Sequence, residues 1–79
     1  MFRTLIKTGD VAVGTRTYQV RYFEQHTDRG SRRYAAEILL APGDRIILDG
    51  DSIANLEART ARLVPATVYS RWLARVTAA

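Results

Sequence analysis

Residues 15–40 read TRTYQVRYFEQHTDRGSRRYAAEILL, and the fold turns on how the two ends of this stretch meet. In the first half Tyr18, Val20 and Tyr22 alternate with Gln19, Arg21 and Phe23, the two-residue period of a strand with one face in a core. The second half repeats the pattern, with Tyr34, Ala36, Ile38 and Leu40 on one face and Arg33, Ala35, Glu37 and Leu39 on the other. Between them Thr27, Asp28, Arg29, Gly30 and Ser31 have turn chemistry, and Gly30 is free to take the positive φ of a tight hairpin. Directly opposed residues share a face and opposite charges attract across strands, so Arg21 is expected to pair with Glu37. That register sets Val20 against Ile38 and Tyr22 against Ala36, and leaves Asp28, Arg29 and Gly30 at the tip.

Working outward, residues 2–13 carry Leu5, Ile6, Val11 and Val13 as a first strand, interrupted at Gly9-Asp10, where a bulge or turn is expected. Gly14-Thr15 offers the turn into the hairpin. Downstream, Pro42 and Gly43 have the residue types for the two central positions of a type II turn, which sends Arg45–Asp49 back as a short fourth strand. Ser52 then suits a helix N-cap, and IANLEARTARL after it favours helix. The fold class is therefore α+β: an antiparallel meander of about four strands with a C-terminal helical segment across one face, as a single small domain over residues 1–79.

The C-terminal segment contains a conflict. At 100° per residue Ile53, Leu56, Thr60, Leu63 and Val64 form one apolar stripe, while Val68, Tyr69, Trp72, Leu73 and Val76 form another, free of charge, within about 140°. In one straight helix the stripes point to nearly opposite sides. Pro65 lies between them, and a kink or break there would let both face the sheet. Otherwise a nearly straight helix covers the sheet with its first half and buries its second half, with Trp72, against a partner. Both hold if the last segment swings out onto a second copy of the chain.

Seventy-nine residues suffice for one domain that buries roughly 60% of its unfolded surface. At 47% hydrophobic and 25% charged, the composition lies far from that of disordered chains. The absence of cysteine excludes disulfides, thiolate metal sites and thiol nucleophiles, and fits a reducing cytoplasm. Arg3, Lys7 and Asp10 stand where a signal peptide needs an apolar run, and no run approaches the ~20 residues of a membrane span, so no membrane is expected as a partner. The net charge is +4, and eleven of the twelve basic residues are arginine, a bias that a GC-rich genome also produces.

Few residues point to chemistry. Asp44, Asp49 and Asp51 could attract a divalent cation, but they lack the spacing and closing glutamate of an EF-hand loop and read more simply as turn and N-cap residues. His26, with Thr27, Asp28 and Ser31 nearby, could serve as a base, yet polar residues collect at hairpin tips in any case. No nucleophile-elbow, zinc-protease or phosphate-loop pattern occurs, so neither an enzyme nor a bound metal or cofactor is expected. Arg29, Arg32 and Arg33 at the tip, with Arg59, Arg62, Arg71 and Arg75 downstream, are candidate phosphate contacts.

The passage LDGDSIANL resembles the strand-to-helix junction of HicB-like antitoxins and, more distantly, that of double-stranded-RNA-binding domains. Gly50, Asp51, Ser52 and Ile53 match the family's order of glycine, polar residue, Ser or Thr, and apolar residue. Ala54 and Asn55 stand where its acidic pair is usual, and its Pro-Gly-Cys segment has no counterpart. The resemblance implies a shared fold element and no family function. The function expected from the residues is a non-catalytic interaction module, a homodimer or the partner of another protein, joined through Val68, Tyr69, Trp72, Leu73 and Val76. The alternative is a nucleic-acid-binding domain acting through Arg29, Arg32 and Arg33.

Overall fold

A computed structural model describes residues 2–77. Strands β1 (Phe2–Val13), β2 (Arg16–His26), β3 (Arg32–Ala41) and β4 (Asp44–Gly50) form an antiparallel sheet in the order β1-β2-β3-β4, followed by one helix, α1 (Ile53–Thr77). The β2–β3 register is the one that charge pairing implies: Arg21 opposes Glu37, Val20 opposes Ile38 and Tyr22 opposes Ala36. Gly43 takes φ 77° at the third position of the Ala41–Asp44 turn, where a type II turn needs a residue without Cβ strain. The irregularity expected at Gly9-Asp10 is instead a register shift between Leu5 and Lys7. Gly9 stays in the ladder opposite Val20, with the Tyr22 ring 3.5 Å from where a Cβ would stand, an ordinary packing distance.

One face of the sheet meets the helix. Val20, Tyr22, Ala36 and Ile38 are buried there against Leu56, Thr60 and Val64 of α1, with Tyr18 at the border. The helix starts where Ser52 caps it: Asn55 N donates to Ser52 Oγ at 3.1 Å and Leu56 N to Ser52 O at 3.2 Å. The two buried hydroxyls satisfy each other in series. Thr60 Oγ1 donates to the Glu57 carbonyl at 3.0 Å, which leaves it to accept from the Tyr22 hydroxyl at 3.3 Å.

The helix is not broken at Pro65. Proline removes one intrahelical hydrogen bond, and the carbonyl it orphans belongs to Ala61, which lies exposed where water can take it. Val64 is buried on the sheet just before the proline and Val68 packs on the same core just after it, so tertiary contacts hold the helix on both sides of Pro65. The expectation that a break turns both stripes onto the sheet is therefore not met. Leu63 also departs from its assigned stripe: it is partly exposed at the border, and Val68 takes the place on the core.

The molecule is long and thin, with extents of 49 × 21 × 18 Å. It exposes 5594 Å². A compact monomer of 8.9 kDa exposes about 4,800 Å². The excess, roughly 800 Å², is the area that one partner buries in a standard protein–protein interface. None of the described helices is long and apolar enough to cross a membrane.

Candidate functional site

The second half of α1 carries the largest run of unpartnered apolar side chains. Tyr69, Trp72, Leu73 and Val76 are 60%, 50%, 38% and 51% exposed, and the Tyr69 and Trp72 rings stack with centroids 5.9 Å apart. These four point away from the core because the helix turns its Leu56–Thr60–Val64 side to the sheet, and residues half a turn round must face out. Of the five residues expected on this stripe, Val68 alone is half-buried, packed against the core that includes Tyr18.

Two grooves run along this half of the helix. One, of about 340 Å³, lies toward the β3–β4 turn between Tyr18, Leu40, Val68 and Arg71. The other, of about 590 Å³, lies toward the β1–β2 turn between Val13, Tyr18, Pro65 and Trp72. Arg16 and Arg75 line both. Sequence reasoning missed these grooves, since they depend on how far the helix travels past the sheet's turns.

Arg71 ties the second half of the helix to the sheet. Its Nε and Nη2 donate to the two carboxylate oxygens of Asp44 at 3.0 and 3.2 Å. The Arg71 hydrogen bond holds the Asp44 carboxyl below its ordinary value of 3.8, against a smaller opposing effect of burial. A carboxyl whose folded-state pKa is depressed contributes its tether above the unfolded value and loses it as the pH falls through the folded one. In Asp44→Asn, amide exchange over residues 68–77 is expected to be faster than in the wild type at neutral pH, with the difference closing as the pH drops below 3.8. Equal exchange at neutral pH would show that the pair does not hold the helix.

The hairpin tip does not concentrate positive charge. Arg33 is bonded to Asp51 at the start of the helix, and Arg32 lies 3.9 Å from Glu24. His26 Nε2 is 2.7 Å from the same Glu24 carboxylate. With Asp28 at the turn itself, three carboxylates match the three arginines, and Arg29 alone has no ion-pair partner among the described residues. Two aspartates of the turn region are likewise engaged, Asp44 with Arg71 and Asp51 with Arg33, while Arg59 donates to the backbone carbonyl of Asp49 at 2.6 Å.

On the sheet face away from the helix, Glu37 is almost fully covered. Arg21 bonds it directly, and Arg3 and Arg45 approach to 3.6 and 3.7 Å. Burial alone would raise its pKa, but the Arg21 hydrogen bond and the charges of Arg21, Arg45 and Arg3 together hold it below the ordinary 4.5. Leu5, Leu39 and Ile47 are exposed around this cluster. Each is in a cross-strand row that also carries a charge, Asp49, Arg45 or the Arg21–Glu37 pair, so this face is laced with polar groups where the helix stripe is not.

No protein-family model, curated protein or solved structure matches the chain.

Proposed function

We propose that the protein is a non-catalytic, cytoplasmic interaction module that associates with a second copy of itself through the outer side of α1. The observation that carries this reading is the uncharged stripe of Tyr69, Trp72, Leu73 and Val76, held outward on a helix whose other side is docked. A stacked tyrosine and tryptophan are the residue types that anchor interfaces. The surface excess of the monomer supports the same reading in area: it is what one half of a standard dimer would remove from water.

Sedimentation velocity over a concentration series tests it. The weight-average mass is expected to rise from 8.9 kDa toward twice that value through the micromolar range. A mass that stays at 8.9 kDa at every concentration refutes self-association. Replacing Arg29, Arg32 and Arg33 together by alanine is expected to leave the sedimentation series unchanged and to lower the melt by about 8 °C at most, because the tip is exposed and loses only surface pairs such as Arg33 with Asp51. A shift of the series toward monomer would move the interface to the hairpin.

A further inference from the structure

The outer face of α1 is longer than its bulky stripe. Ala54, Ala58 and Ala61 are all exposed, and with Pro65, Tyr69, Trp72 and Val76 they fall within about 80° on a helical wheel. Counted outward from Pro65, the steps are four, three and four residues toward Ala54 and four, three and four toward Val76. The spacing is palindromic and the side-chain size is not: one arm is all alanine, the other Tyr, Trp and Val.

We infer that two copies pair with their α1 helices antiparallel and Pro65 at the two-fold axis, each chain's Tyr69, Trp72 and Val76 lying over the partner's Ala61, Ala58 and Ala54. This pairing rests on the self-association proposed above and adds its partner surface and register. An isologous contact must be self-complementary, residue i on j and j on i. Here the palindrome satisfies that requirement at each height along the helix, and large side chains meet small ones throughout, as close packing needs. A parallel pair sets Trp72 on Trp72 and alanine on alanine, so the rings hold the axes apart where the alanines require them close.

Charge agrees with the antiparallel sense. Arg75, which has no ion-pair partner among the described residues, lies on the same flank of the helix as Glu57. At this register it comes beside the partner's Glu57, whose carboxylate is exposed and already engages Lys7 at 3.0 Å from the side. The half that holds Glu57 also carries Arg59 and Arg62, so the charge agreement rests on the pairing of Arg75 with the partner's Glu57. The β1–β2 turn, Val13 to Arg16, flanks this face beside Pro65, Tyr69 and Trp72, so the partner's helix seats alongside that turn.

The chain has no cysteine, so introduced thiols report the register directly. Ala54→Cys and Val76→Cys change exposed positions and leave the Tyr69–Trp72 anchor in place. With axes 8–10 Å apart and crossing at about 20°, the Cα atoms of residue 54 and the partner's residue 76 come within roughly 7–8 Å, a span that a short bismaleimide bridges. With that reagent an equimolar mixture of the two variants is expected to give mostly the mixed covalent dimer on a denaturing gel, and either variant alone close to none. Efficient linking of the Val76→Cys variant to itself would overturn the antiparallel pairing. A mixture that sediments as dimer yet does not cross-link would overturn the register while self-association stands. A wild-type chain that sediments only as monomer would overturn the reading beneath both.

Discussion

Replacing Leu56 by alanine is expected to lower the unfolding free energy by about 3–4 kcal/mol, the middle of the range for removing a buried leucine side chain. Leu56 is fully buried and joins Val20, Tyr22, Ile38 and Val64 where helix and sheet meet. Its Cγ and Cδ2 also lie 3.1 Å from where a Cβ on Gly50 would stand, so the leucine fills the angle between the end of β4 and the first turn of α1. Collapse into the vacancy is limited, since the sheet backbone forms one wall and the capped helix start the other. For a chain of 79 residues total stability is of the order of 4–12 kcal/mol, so the loss removes a large share of it. A melt followed by far-ultraviolet circular dichroism should show a midpoint lower by roughly 12–32 °C. A change of only a few degrees would mean that α1 does not depend on Leu56 for docking.

The contacts legible in the sequence are those whose partners are close along the chain or bound by periodicity. Alternation in residues 15–40 identified the core face, and one charge pair, Arg21 with Glu37, was enough to choose the register of β2 on β3, because a slip by one residue would move every side chain to the wrong face. The cap at Ser52 and the glycine at 43 follow from backbone chemistry that acts over a few residues. What was not legible joins elements whose relative placement comes only from packing. Arg3 and Arg45 reach Glu37 from β1 and β4, and neither strand's register could be read from its residues. The bulge in β1 is a further case: glycine marked the position where a bulge is cheap, yet Gly9 stays in the ladder and the irregularity falls at Leu5–Lys7, where no glycine or proline marks it. At Pro65 the local cost was legible, and the packing of Val64 and Val68 that outweighs it was not. Of the candidate sites, the stripe was readable because it is periodic; the matching of arginines and acids at the tip was not, because Arg33 and Asp51 meet only once β3 and the helix start are brought together.

Trp72→Ala is expected to act oppositely to Leu56→Ala, leaving the monomer's fold intact and dispersing the dimer. Trp72 is half exposed and stacks on Tyr69, also exposed, so its removal opens no cavity in the Val20–Ile38–Leu56 core. Surface substitutions of this kind change stability by about 0.5 kcal/mol or less. A tryptophan anchoring an interface is worth 2 kcal/mol or more on truncation, which is about 30-fold in dissociation constant, and a symmetric pair loses two such anchors. The sedimentation series should therefore stay at the monomer mass across the range in which the wild type associates. The melt is best compared at a concentration low enough for the wild type to be monomeric, since association itself raises an apparent midpoint. There the two proteins should unfold together, within a few degrees. If the variant instead melts far below the wild type under those conditions, Trp72 belongs to the core of the folded chain, and the outward stripe is not a surface the monomer can hold in water alone.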